Sequence, residues 1–406
     1  MFMRMRRSSA LGLFLTFMSV FAVAGPNASA PGDPLADVGF RHFYNNEYDQ
    51  ALEIFEQQVK ADPEDATLYN SVSQTILYRE MYRNGALESQ LVTGSNSFLR
   101  RPKMGISAED RKEFNDSVKK AITLSEERLK QNPDDIYALY AVAVAHGLKA
   151  NFLFLVDKSW MQALHESITA RKADDKILQL APGFIDAHLV HGLSEYVVSC
   201  LPGYLRMLGS FNGFHANKED GIRQLQMVSN SGVRNRYDAS VLLAAIYRRE
   251  RRPNDALPLL KNLATTFPRN YLFRFEQVQM YSDLGDKNSA LQVLAEIEAA
   301  LRKGEPGYGQ LPLERVEYAR GNLLFWYNDL DKSLQDLRKA TRRSEELDLP
   351  TAAMAWLRIG QVSDLLGDRE QAEDGYKTAI SIAPDSEIAK EASNYIDKAY
   401  RRKRLQ

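Results

Sequence analysis

Apolar and polar positions alternate along this chain at helical rather than strand spacing, and the spacing itself recurs. In "WLRIGQVSDLLGDREQAEDGYKTAISIAP", residues 356–384, Trp356, Gly360, Ala372, Tyr376, Ala379 and Pro384 fall at offsets 0, 4, 16, 20, 23 and 28, with few constraints between them. Two antiparallel helices joined by the turn "LLGDREQ", residues 365–371, explain this arrangement. Gly or Ala at a crossing point lets two backbones approach, and the large residues fill the gap between neighbouring pairs. Pro and Asp then end the second helix, because Pro cannot continue a helix and restricts the residue before it.

The same frame recurs elsewhere. Gly39, Ala51, Phe55 and Pro63 repeat it, as do Ala244, Ala256, Leu260 and Pro268. Gly321, Ser333, Leu337 and Ala340 make another copy, and Ala290 and Leu294 preserve its centre. Ala121 with Pro133, and Ala170 with Pro182, keep its second half. That amounts to about seven copies, four of them consecutive after residue 236. One helical pair cannot bury both of its faces, so such pairs stack on one another. The pattern resembles the tetratricopeptide repeat, whose period is about 34 residues. It predicts an all-α, right-handed α-solenoid of stacked helical hairpins, closed by a C-terminal capping helix. That cap is read from Ile388, Ala392, Tyr395, Ile396 and Tyr400, an apolar stripe on an otherwise charged helix.

The expected organisation is a signal peptide at 1–24, a linker at 25–33 and irregular repeats at 34–182. A non-consensus helical insert at 183–236, the regular array at 237–384 and a cap with basic tail at 385–406 complete it. The period is disturbed three times, one of them the 49-residue interval from Pro133 to Pro182, which implies helices a turn or more longer than standard. Pro63 to Pro133 has room for two units, yet only two clear long helices fit, separated by a Gly-, Ser- and Asn-rich loop at 83–107. Within the insert, a helix is broken at Leu201, Pro202 and Gly203. This centre resembles the inclusion-body clearance family of tetratricopeptide-related proteins, through Leu201, Pro202, Leu205, Leu208, Gly213, Phe214, Gly221, Gln224 and Leu225. That resemblance implies lipid or aggregate handling at membranes. A fainter likeness is to periplasmic repeat proteins that accompany TRAP-type solute transporters. Tyr204, Leu205, Leu208 and Phe211 form either a plug against the solenoid's inner surface or an exposed apolar lip.

The chain's beginning alters the picture. Arg4, Arg6 and Arg7 precede the apolar run "LGLFLTFMSVFAVA", residues 11–24, which ends in a small-x-small cleavage site. This is the pattern of a secretory signal and predicts an exported protein, periplasmic or secreted. Nothing after Ala24 reads as long and apolar enough to span a membrane, which leaves peripheral membrane contact as the remaining kind. Removing the signal takes three arginines with it and moves the formal charge of the 406-residue chain from −1 to −4. That mixed-sign balance gives no reason to expect a nucleic-acid partner. Cys200 is the single cysteine, so no disulfide forms within the chain.

Candidate chemistry is sparse. No phosphate-binding loop or G-x-S-x-G elbow occurs. Cys200 lies on an apolar helical stretch and reads as a buried, inert thiol. His188, His191 and Glu195 share a helix face at ligand-compatible spacing, but no second motif completes a metal site, and satisfied histidines are expected. Neither a cofactor nor an enzymatic activity is therefore expected.

Binding is better founded. With Tyr237, Tyr271, Glu314 and Ala353 as first positions of the first helices, the fifth positions are Val241, Phe275, Tyr318 and Leu357. The ninth are Ala245, Gln279, Asn322 and Gln361. In such repeats the first helices line the concave face, so Phe275, Gln279, Tyr318, Asn322 and Gln361 predict a peptide-binding groove. Arg315 adds positive character, as does Arg358. The lysine that family members use to clamp a terminal carboxylate is replaced by Phe275, Tyr318 and Leu357, which argues against that specific activity. The expected function is an exported, non-enzymatic scaffold that binds protein or peptide segments for bacterial cell-envelope assembly. The alternative is a periplasmic solute- or lipid-handling accessory protein.

Overall fold

Aspartate and proline set the rhythm of the chain. In "DPED" and "NPDD" the proline stops one helix, and an aspartate two residues later starts the next. Asp65 accepts the Thr67 N–H at 2.8 Å, and Asp135 accepts those of Tyr137 and Ala138 at 3.1 and 3.0 Å. These bonds satisfy amide groups that a helix N-terminus leaves without internal partners. The computed structural model describes residues 32–87, 103–200 and 217–402. The predicted signal peptide, most of the linker, and Tyr204, Leu205, Leu208 and Phe211 lie outside the described residues.

The described residues form 17 α-helices and no strands. The chain divides into two compact units, one ending at Pro268 and one starting at Arg269. The N-terminal unit contains α1 (Val38–Tyr44), α2 (Tyr48–Ala61), α3 (Ala66–Arg83), α4 (Ala108–Gln131) and α5 (Ile136–Phe152). After a short π turn come α6 (Trp160–Leu180), α7 (His188–Ser199), α8 (Lys218–Ser231), α9 (Arg236–Arg249) and α10 (Pro253–Thr266). The C-terminal unit contains α11 (Tyr271–Asp283), α12 (Lys287–Arg302), α13 (Leu313–Trp326) and α14 (Leu330–Thr341). It continues through α15 (Leu349–Leu366) and α16 (Arg369–Ile382) to the capping helix α17 (Glu387–Asp397). Within each unit consecutive helices pack against one another, and some helices two apart in sequence also touch directly: α3 with α5, α13 with α15, and α15 with α17. This is the stacked-hairpin fold predicted from the spacing.

The 16-residue interval between small and large residues has a direct steric meaning. A Cβ at Gly39 would sit 2.6 Å from Phe55, one at Gly321 2.8 Å from Leu337, and one at Gly360 2.5 Å from Tyr376. In each pair the large side chain from the second helix lies where the first helix has no side chain. Phe55, Leu337 and Tyr376 are wholly buried there, each contributing about 2–3 kcal/mol of apolar burial. The turn between α15 and α16 needs glycine for another reason. Gly367 has φ +87°, and its N–H and that of Asp368 return to the carbonyls of Asp364 and Ser363 at 3.2 and 2.9 Å.

One expectation is corrected. Residues Ile136–Asp157 are long and apolar enough, by length and composition, to span a membrane. Most of that stretch is buried within the protein, where α5 packs against α3, α4 and α6. A helix apolar on all sides is what a core position requires.

The N-terminal unit closes upon itself. Tyr44 of α1 stacks on Phe267 with ring centroids 4.9 Å apart, and its hydroxyl donates to Asp238 Oδ2 of α9 at 2.8 Å. Asp33 pairs with Arg236 near the same seam. Asp186 gathers the backbone N–H groups of Val233, Arg234 and Asn235 at 2.8–3.3 Å, which fixes the entry into α9.

Candidate functional site

Phe275 and Gln279 lie on α11, Arg315, Tyr318 and Asn322 on α13, and Arg358 and Gln361 on α15. All are half-buried except Gln361, which is 1% exposed. The fifth and ninth positions of a first helix are one turn apart, so they share a face. At the α11–α13 end, the Arg315 guanidinium stands 5.7 Å from the Phe275 ring centroid and 3.8 Å from Asp348. Tyr271 meets Phe275 edge-on, with centroids 6.0 Å apart. Gln279 donates to Asp283 at 2.8 Å, one turn along its own helix.

The α13–α15 end is organised by Arg358. Its Nε donates to Asn322 Oδ1 at 2.9 Å and its Nη1 to Gln361 Oε1. Gln361 Nε2 in turn donates to Glu391 Oε1 of the capping helix at 3.1 Å. The guanidinium lies 4.4 Å from the Phe325 ring centroid and 5.0 Å from that of Trp326. Burial draws its pKa down, opposed by Tyr318 and Glu391. Tyr318 packs against the cluster of Phe325, Leu337, Ile359 and Val362. Burial, with Glu391 adding to it, pushes Tyr395 up to about 12.

Arg358 thus links Asn322 with Gln361, and its field reaches Tyr318; Phe275 and Arg315 meet separately, and Gln279 is bonded within its helix. Gln361 is not on the surface. Its amide bridges Arg358 and Glu391, and Leu357 beside it is 1% exposed. Sequence reasoning gave Arg358 only its charge and missed Glu391 altogether. The repeat frame counts positions on first helices, and α17 stands outside the count.

The histidine face meets polar neighbours, although among the described residues the buried His191 Nε2 makes no hydrogen bond. His188 Nδ1 lies 3.2 Å from Gln224 Oε1, Gln224 donates to Glu195 at 3.1 Å, and His191 Nε2 lies 3.0 Å from Asp175. Burial lowers the His188 pKa. Among the described residues no group of three His, Cys, Asp or Glu side chains is placed to hold a metal ion. Cys200, expected to be buried, is half-buried at the end of α7, with Sγ 3.9 Å from Ser199 Oγ.

Residues 353–386 match the family model of the tetratricopeptide repeat. No curated protein matches the chain in sequence. Among solved structures, yeast Tom70 is similar at 14% identity and a TM-score of 0.39, over 90% of this chain and 88% of that one. The human IFIT1 dimer with m7Gppp-AAAA is similar at 13% identity and a TM-score of 0.44, over 98% and 86% of the two chains. The same human protein with PPP-AAAA gives 12% identity and a TM-score of 0.42, over 97% and 90%. The chain is a helical-repeat protein, and α15 with α16 forms the hairpin that matches the repeat model.

Proposed function

We propose that this chain is an exported, non-enzymatic scaffold that binds protein or peptide segments on the first-helix face of its C-terminal unit, in the service of cell-envelope assembly. The observation that carries the reading is the Arg358 network. It braces Asn322 against α15 beside Tyr318, on the helix that also presents Arg315 against Phe275. Aromatic surface, amide and guanidinium in one row are the groups that hold an extended backbone and its side chains. Export is supported by the basic and apolar pattern of the first 24 residues.

Capture from envelope extracts by the purified chain tests this reading. The comparison is with a variant carrying Gln279→Ala, Tyr318→Ala and Asn322→Ala, which leaves Gln361 in its bridge. Losing a central aromatic and its neighbouring amides is expected to reduce recovery of a bound protein at least about tenfold, with helical content unchanged. Equal recovery would contradict the proposed face.

A further inference from the structure

Arg234 stands just before α9 and is 1% exposed. Its guanidinium lies 3.4 Å from the ring centroid of Phe40 on α1. Among the described residues neither Nε nor Nη2 has a hydrogen-bond partner. The nearby carboxyl groups are committed elsewhere. Asp37 accepts from the Gly39 N–H and from Gln58 at 2.7 and 3.4 Å, Asp238 accepts from Tyr44, and Asp186 holds the backbone of residues 233–235.

A guanidinium removed from water without paired acceptors is costly, and burial draws this one down to about 10. The Nε–H and Nη2–H groups point along one edge of the planar fork, which matches two oxygens of a carboxylate or phosphate. A second buried polar group lies in the same unit. Gln74 of α3 is wholly buried, and both of its amide atoms lack partners among the described residues. It sits between Asn70, which bonds the Ala141 carbonyl at 2.8 Å, and Tyr78, whose ring meets Phe43 at 5.1 Å.

We propose that the interior of the N-terminal unit binds one small oxyanion, a carboxylate or a phosphate, on the Nε and Nη2 edge of Arg234. Tyr44 and α1 seal this interior, so entry requires local opening of the seam and is slow. The site is independent of the C-terminal face, and either reading can fail without the other.

Thermal unfolding of the full chain at constant ionic strength, with acetate, succinate or inorganic phosphate against matched chloride, tests the inference. A saturable rise in the midpoint is expected from at least one probe, and the responding probe distinguishes a carboxylate from a phosphate ligand. Arg234→Lys keeps the charge but lacks the two-pronged edge, and is expected to weaken that response at least about tenfold. No response in the wild type, or an equal response in Arg234→Lys, would overturn the proposal. Should Arg234→Lys fail to fold, hydrogen exchange on the wild type decides. Anion-dependent protection is expected at residues 38–46 and 233–240, and protection confined to other segments would refute it.

Discussion

Gly221→Ala is expected to lower stability by about 2–3 kcal/mol, a drop of roughly 5–10 °C in the unfolding midpoint. The new methyl group would lie 2.6 Å from the Gly192 carbonyl oxygen and 2.6 Å from the Tyr196 backbone nitrogen. These are backbone atoms of α7, which cannot rotate aside as a side chain can. The helix-propensity gain of alanine, about 1 kcal/mol, offsets only part of the strain. Gly183→Ala is the matched control, because a Cβ there meets nothing within 4 Å. Differential scanning calorimetry of the two variants checks the expectation. A Gly221→Ala midpoint equal to that of Gly183→Ala would show that α7 and α8 do not cross as closely as described.

Asp238→Asn is expected to flatten the fall in stability between about pH 6.5 and 8. Asp238 is wholly buried, and burial pushes its pKa from 3.8 up to about 8, although the Tyr44 hydrogen bond and Arg234 favour the anion. The unfolded chain releases this proton near pH 4, and the folded chain retains it. The contribution is therefore complete below about pH 4 and disappears as pH rises through about 8, at no more than about 1.4 kcal/mol per pH unit. Asp174, fully buried and shifted well upward by burial, acts in the same direction. His188 acts oppositely, since a lowered pKa loses stability as pH falls, and its influence is confined to the acid side of its ordinary value of 6.5. Asparagine can still accept from Tyr44, so the seam between α1 and α9 survives the change. Urea unfolding at pH 6.5, 7.3 and 8 should show a smaller loss for the variant. Identical slopes for both proteins would contradict the assigned burial.

The repeated hairpin was legible because its steric rule is local. Gly39 with Phe55, Gly321 with Leu337 and Gly360 with Tyr376 preserve one interval, and one close approach explains all three. Gly221, Gln224 and Leu225, which carry the family resemblance, also have packing roles. Gly221 crosses Gly192, Gln224 ties His188 to Glu195, and Leu225 is wholly buried beside Gly192. Less of the candidate site could be read. A ninth-position glutamine looks the same in sequence whether it faces solvent or, like Gln361, bridges Arg358 to a capping helix 30 residues onward. The Arg234 interior carried no signal in the sequence, because it depends on Phe40 and Tyr44 meeting α9 across 194 residues. Periodicity reports what each helix does to its neighbour and is silent about such distant closures.

On the proposed function, α13 presents a binding face and α14 does not. A photo-crosslinking amino acid placed at Tyr318, and in a parallel protein at the exposed Gln335 of α14, tests it in living cells. A discrete covalent adduct with another polypeptide is expected from position 318 and none from position 335. Adducts of equal yield from both positions, or from position 335 alone, would contradict it.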